Sequence, residues 1–249
     1  MTKRPLLWAL PLMASLALAG CSAQTTDPVP TSSESENVSQ NQSGTAEQTT
    51  GKNLSAEQVE SIAANLLEGE PSVQVINNEQ MQPQLSAAKD AQLPQGIKPE
   101  KCAELNEKYT VSDLTGSVAA TSTSSSDQMG KVVQIFSLTD EGARKKVQDA
   151  LGLDDLEGCE TVTIEQGDTD IKAQRQILPL DVKAEKALTM STIMDAGGGQ
   201  NLSSVAVQAL DGNNFVLVTL QTGSLEPAEL AAQAVELTDK AFDEIKSAQ

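Results

Sequence analysis

The chain has 249 residues, with 35 acidic and 17 basic side chains and a formal net charge of −18. Such a charge repels nucleic acid, so nucleic-acid binding is excluded as a function. Histidine is absent, which excludes Ser-His-Asp, Cys-His and histidine-zinc sites. We therefore predict no catalytic, cofactor-binding or metal-binding residues.

Residues 1–20 have the pattern of a lipoprotein signal peptide. Lys3 and Arg4 precede an apolar stretch of about 15 residues, which is shorter than the roughly 20 needed to span a membrane. The stretch ends in LAGC at residues 18–21, which resembles the bacterial lipobox. From this motif we predict cleavage before Cys21 and lipid attachment to its thiol. The lipid would anchor the protein stably, because two acyl chains hold a protein on a membrane where one does not.

Residues 21–53 are rich in Ser, Thr, Gln, Asn and Glu and contain few apolar side chains. This composition predicts a disordered linker, because too little apolar surface is available to form a core. A flexible chain of this length has an r.m.s. span of roughly 30 Å. The linker would therefore hold the following domain away from the membrane.

Residues 54–249 contain enough Leu, Ile, Val, Ala and Met for one folded domain. A helix is predicted at its start, to about residue 68, because Ser55 and Gln58 form a capping-box pattern. The next 30 residues show only short apolar steps. Pro94, Gly96 and Pro99 predict a loop that leads into a short helix over residues 102–109.

After this helix the apolar period becomes alternating, which predicts strands. The predicted strands are 114–121, 131–138, 161–165, 171–180, 188–194, 205–210 and 215–220. A helix over 140–151 with Thr139 as N-cap separates the second strand from the third, and a final helix begins at Pro227. This order predicts an α+β domain, with an antiparallel sheet of about six to seven strands and helices packed mainly on one face.

Cys102 and Cys159 are the two thiols that remain after lipidation. In an exported chain they are expected to form one disulfide, and closing that loop would stabilise the fold by about 4 kcal/mol. A redox-active pair is the alternative. It is less favoured because the CxxC spacing is missing and no cluster of basic residues lies beside either thiol to lower its pKa.

Two acidic clusters leave a hydrolase or a cation site open as alternatives, since two carboxylates suffice for glycoside hydrolysis. The clusters consist of Asp154, Asp155 and Glu157, and of Asp168 and Asp170. Both lie in predicted turns, where acidic residues are common for backbone reasons, and the EF-hand ligand series is missing. The expectation remains a protein that is not an enzyme.

The order of features resembles the PknH-like extracellular sensor family, whose members are outer domains of actinobacterial receptor Ser/Thr kinases or separate lipoproteins. The matching features are the lipobox, the polar linker, the first helix, the loop before Cys102, Val133, Phe136, Ala143, Cys159, residues 214–219 and Pro227. The resemblance implies a sheet-and-helix module that binds small ligands or cell-envelope components. It assigns a role to no residue beyond the cysteine pair.

These observations predict a lipoprotein on the extracellular face of the cell membrane with a non-catalytic, ligand-binding or sensor-like domain. The expected partners are the membrane, through the lipid on Cys21, and a small envelope ligand or a cell-surface protein. The alternative is a structural, lipid-carrier or chaperone-like lipoprotein that acts through protein partners. A deep apolar cavity would favour the lipid carrier, and a shallow polar one would favour sensing.

Overall fold

The computed structural model describes residues 52–90, 96–166, 169–195 and 201–249. The helices are α1 (Ala56–Leu66), α2 (Asn78–Asp90), α3 (Glu100–Tyr109), α4 (Glu141–Ala150) and α5 (Pro227–Ala248). The strands are β1 (Gln74–Ile76), β2 (Ile97–Lys98), β3 (Val118–Ser125), β4 (Met129–Ser137), β5 (Thr161–Gln166), β6 (Thr169–Ile177), β7 (Lys186–Asp195), β8 (Asn201–Asp211) and β9 (Asn214–Thr222). Among the described residues, no helix is both long and apolar enough to cross a membrane.

All the strands join one sheet in the order β1-β3-β4-β9-β8-β7-β6-β5-β2, and every pair is antiparallel. The predicted α+β class and the antiparallel sheet are confirmed. The predicted number of six to seven strands is too low, since the described residues form nine. The two additional strands are β1 and β2, which have three and two residues and are too short to show an alternating pattern.

Both faces of the sheet are covered by helices. Successive residues of a strand point to opposite faces, and in β9 the residues Val216 and Val218 join one core while Phe215 and Leu217 join the other. Helices α1 and α5 pack on the first face, and α2, α3 and α4 pack on the second. The prediction that the helices lie mainly on one face is therefore wrong, because the central strands are apolar on both sides.

We call the side covered by α1 and α5 the helix face. The capping box that starts α1 is confirmed, since the Ser55 hydroxyl accepts from the Gln58 amide and the Gln58 side chain accepts from the Ser55 amide. Pro227 is the first residue of α5, as predicted. The two helices bury apolar stripes that include Val59, Leu230 and Phe242, all fully enclosed.

We call the opposite side the cleft face. Helix α2 was not predicted; Asn77 caps it through reciprocal side-chain bonds with Gln80, and Pro83 lies inside it. Helix α4 is capped by Asp140, which accepts from the Ala143 amide at 2.9 Å, and not by Thr139 as predicted. Because α2 packs on β3 and α3 on β2, these helices lie toward the edges and leave space over the middle strands.

Candidate ligand-binding cleft

A cleft of about 80 Å³ lies over the middle strands of the cleft face. Its apolar wall comes from α3, from the segment after α4 and from the strands, and includes Leu105, Tyr109, Leu156, Met190 and Phe215. Ligand pockets for drug-sized molecules usually have about 300–1,000 Å³. The cleft therefore favours a small ligand, or one small group of a larger ligand, over a lipid tail.

A row of polar residues crosses the sheet at one end of the cleft. Arg175 on β6 is paired with Thr192 on β7, Thr192 with Ser204 on β8, and Ser204 with Gln221 on β9. Residues paired directly across antiparallel strands share a face, so all four side chains belong to the cleft face. The next residue in the row, Gly130 on β4, has no side chain, and the position of a Cβ there is open space.

The polar row has hydrogen-bonding capacity that the described part of the protein does not use. Thr192 and Ser204 are each only 6% exposed and line the cleft. Neither hydroxyl has a hydrogen-bond partner among the described residues, and both oxygens are open to the cleft and not fully buried. The side-chain nitrogen of Gln221 is buried and also has no partner there. Buried polar groups are normally hydrogen-bonded, because an unmet donor or acceptor costs about 1–3 kcal/mol.

Arg175 closes one end of the row and is 6% exposed. Its Nε and one terminal nitrogen donate to the carbonyl oxygen of Cys159 at 3.1 and 2.9 Å, which fixes the orientation of the guanidinium. Burial lowers the pKa of Arg175, and the nearby Glu160 carboxylate opposes this change. Arginine nevertheless keeps its charge in proteins, so the row ends in a desolvated cation.

The disulfide predicted between Cys102 and Cys159 is present in the structure, and both cysteines are buried. It joins α3, which carries Leu105 and Tyr109 of the cleft wall, to the residue whose carbonyl orients Arg175. The bridge thus holds a wall and the charged end of the cleft in a fixed relation. This position does not follow from the spacing of the two cysteines along the chain.

The segment between α3 and β3 forms another part of the wall through residues that include Leu114. Beside it, the Asp113 carboxylate accepts from the hydroxyl and amide of Thr115 at 2.6 and 3.3 Å. The hydroxyl bond lowers the pKa of Asp113, burial opposes the change, and the Thr115 amide, Lys89 and Lys146 add to the lowering. The same carboxylate lies 3.6 Å from Lys89 of α2 and 3.5 Å from Lys146 of α4, so this segment is tied to both helices.

The other residues singled out in the sequence lie elsewhere. Cys21 and Asp168 are outside the described residues. Asp155 accepts from the backbone amide of Glu157 at 2.6 Å, which is the turn role expected for an acidic residue there. In the described part of the chain, no group of three His, Cys, Asp or Glu side chains is placed to hold a metal ion.

A larger and more open hollow, of about 930 Å³, lies along α5 on the helix face. Its charged residues are largely paired with each other, as in Lys131 with Glu70 at 2.6 Å and Lys183 with Asp243 at 3.1 Å. Leu180 at its border is 41% exposed. Its side chains without a hydrogen-bond partner among the described residues, such as Asp181 and Gln233, are exposed to solvent, and the more enclosed cleft is the better candidate for a small ligand.

No family model matches the chain, and neither does any curated protein. Among solved structures, the chain is similar to an uncharacterized protein from Mycobacterium smegmatis, with 16% identity, a TM-score of 0.43 and coverage of 76% of this chain and 96% of that chain. It is also similar to the extracellular domain of PknH from Mycobacterium tuberculosis, with 12% identity, a TM-score of 0.40 and coverage of 76% and 98%. The predicted resemblance to PknH-like extracellular domains is confirmed as a resemblance, and the function is argued from the cleft itself.

Proposed function

We propose that this protein is a lipoprotein, anchored through Cys21 to the extracellular face of the cell membrane, whose folded body binds a small ligand without catalysis. The observation that carries the proposal is the polar row, because Thr192 and Ser204 line the cleft with hydroxyls that have no partners among the described residues. A bound ligand would supply these partners. The absence of histidine from the sequence supports binding over acid–base chemistry.

Ligand binding is tested by thermal unfolding in the presence of soluble cell-envelope building blocks, namely amino sugars, glycerol phosphates and short peptides. A compound that binds only the folded state raises the midpoint of unfolding with concentration. We expect at least one class to do so, and we expect the Thr192→Val and Ser204→Ala variants to reduce the shift. Ser191→Ala is the matched control, because Ser191 is buried on β7 next to Thr192 and points to the helix face.

Two outcomes would contradict ligand binding in the cleft. The first is that no compound class shifts the midpoint of unfolding. The second is that a shift is the same in Thr192→Val, Ser204→Ala and Ser191→Ala, which would place the binding site elsewhere.

The anchor is tested separately by growing cells with labelled palmitate. We expect the label on the wild-type protein in the membrane fraction, and we expect the Cys21→Ala variant to lack the label. Equal labelling of the two proteins would show that Cys21 does not carry the lipid. This experiment does not depend on the identity of the ligand.

The second candidate function is a lipoprotein that acts through a protein partner, and the hollow along α5 with the exposed Leu180 favours it. A photo-crosslinking residue at position 180 would capture a partner on the cell surface. The same residue placed at Ser61, an exposed position of α1, is the control. Capture at position 180 alone, together with no response to the compound panel, would favour this second function.

A further inference from the structure

We infer that the cleft selects a small anionic ligand, with a carboxylate or a comparable anionic group beside Arg175 and an apolar part against the cleft wall. This inference rests on the proposed ligand-binding function and names the chemical class of the ligand. Three observations support it: the charge of the lining, the orientation of the guanidinium and the chemistry of the wall.

The charge of the cleft lining is opposite to that of the protein. The chain has 35 acidic residues and a net charge of −18, yet no Asp, Glu or Lys is among the described residues that line the cleft, and Arg175 is there. An acidic protein usually repels anions, and a local region without carboxylates removes that repulsion where the ligand binds. The lining therefore discriminates in favour of a negative group.

The guanidinium of Arg175 is held in place before any ligand binds. The Cys159 carbonyl accepts from two of its nitrogens, and the disulfide fixes Cys159 to α3. Arginine binds carboxylates and phosphates well because its planar donor group matches their oxygens. Burial also strengthens an interaction with an anion, since less water screens the charge.

The groups around Arg175 are consistent with this selection. Among the described residues, Glu160 acts on Arg175 electrostatically, but it is exposed and does not line the cleft. On α3, the Lys108 ammonium lies 4.9 Å from the centre of the Tyr109 ring, and this ring belongs to the cleft wall. A second positive charge thus lies beside the wall, where it would attract an approaching anion.

The remaining lining defines the rest of the ligand. Leu105, Leu156 and Met190 present apolar surface, while Thr192 and Ser204 follow Arg175 along the polar row. A ligand with an anionic head and a short apolar part would contact both sets at once. The small volume of the cleft, about 80 Å³, limits the apolar part to a few carbon atoms.

The test compares three probes with the same six-carbon chain: hexanoate, hexanamide and hexylammonium. Each is titrated by NMR into the full chain carrying Cys21→Ser, so that no attached lipid competes for the cleft. We expect hexanoate to bind at least tenfold more tightly than hexanamide and hexylammonium not to bind, with shifts at Thr192, Ser204 and Met190. Added salt should weaken hexanoate binding more than hexanamide binding.

The variant Arg175→Gln should lose at least tenfold in hexanoate affinity and keep its affinity for hexanamide. Arg144→Gln is the matched control, because Arg144 bonds the Gly212 carbonyl and Glu185 away from the cleft. If Arg175→Gln does not fold, the comparison of the three probes on the unaltered cleft still decides the question.

Equal affinity for hexanoate and hexanamide would overturn the anion selectivity and leave ligand binding in the cleft intact. Equal loss of hexanoate affinity in Arg175→Gln and Arg144→Gln would also overturn it. Failure of ligand binding itself is a different result, in which none of these probes and none of the envelope compounds perturbs the cleft residues.

Discussion

The two faces of the sheet are built from the same strands but differ in what covers them, since α1 and α5 cover one face and a cleft lies in the other. On the helix face, Val207 and Val218 are completely buried beneath α1 and α5. On the cleft face, neighbouring positions of β7 and β8 carry Thr192 and Ser204, which have no side-chain hydrogen-bond partner among the described residues. Both faces bury an apolar core that stabilises the fold, and the cleft face in addition has polar side chains placed to contact a ligand.

This difference implies that substitutions beneath α1 and α5 and substitutions in the polar row have different effects. A change on the helix face should reduce the free energy of unfolding and leave the cleft intact. A change in the polar row should affect binding and leave stability nearly unchanged. The disulfide is the exception, because it serves stability and also positions the cleft wall.

Removing the disulfide with the double substitution Cys102→Ser and Cys159→Ser has the largest expected effect. The bridge closes a loop with a sequence separation of 57, so the free energy of unfolding should fall by about 4 kcal/mol in the chain-entropy model. Urea unfolding measures this value, and reduction of the wild-type protein is the control. A loss below about 1 kcal/mol would contradict the prediction, and unchanged hexanoate affinity would show that the bridge does not position the cleft.

Leu230→Ala should cost about 3 kcal/mol, because the side chain is fully buried on the helix face and its removal leaves a cavity. Leu180→Ala is the control with the same chemistry at a 41% exposed position, and it should cost less than about 0.5 kcal/mol. Urea unfolding gives both values. If Leu230→Ala also weakens hexanoate binding as much as Ser204→Ala does, the two faces are coupled and the proposed division between them is wrong.

Ser55→Ala should cost about 1 kcal/mol, because it removes the capping bond from the Gln58 amide at 3.3 Å. The matched control is Ser61→Ala, an exposed position inside the same helix, which should not destabilise the protein. Thermal and urea unfolding compare the two variants. Equal losses would mean that the capping bond contributes nothing to the stability of the helix face.

Ser204→Ala has the smallest expected effect, a change in the free energy of unfolding within about 0.5 kcal/mol, because no hydrogen bond is lost. Ser137→Ala is the contrast, since this buried hydroxyl accepts from the Leu54 amide at 2.9 Å, and its loss should cost about 1–3 kcal/mol. Urea unfolding measures both variants. A loss above 1 kcal/mol for Ser204→Ala would mean that the polar row serves structure.

The longer elements could be predicted from the sequence because their patterns are local. Each of the seven predicted strands corresponds to a strand of at least six residues in the structure, which is long enough to show alternation. The turn at Gly212 and Asn213 joins β8 to β9 as a hairpin, as its residues indicate. The first and last helices could be predicted from the caps and apolar stripes that surround them.

Helix α2 was missed because Pro83 lies in its interior and reads as a helix breaker. A signal was present, since Asn77 and Gln80 have capping-box spacing and form that box in the structure. The two-sided arrangement of helices was also missed, although a signal was present. Residues 215–218 of β9 are apolar at successive positions, which indicates a strand covered on both faces.

The candidate site could not be predicted, because it depends on register between strands that are distant along the chain. Thr192, Ser204 and Gln221 become neighbours only when β7, β8 and β9 pair in one particular register. Arg175 lies in a polar stretch of β6, where an arginine normally faces solvent. Its burial becomes understandable only when the Cys159 carbonyl is placed beside it.

The two edges of the sheet have a consequence for behaviour at high local concentration. Each edge ends in a very short strand, three residues in β1 and two in β2, and Lys98 on β2 forms an ion pair with Glu165 while Pro99 follows directly. Open sheets add strands from other molecules most readily along long, flat, uncharged edges. A wide sheet closed in this way offers little template for edge-to-edge aggregation, even where many copies of the protein crowd together.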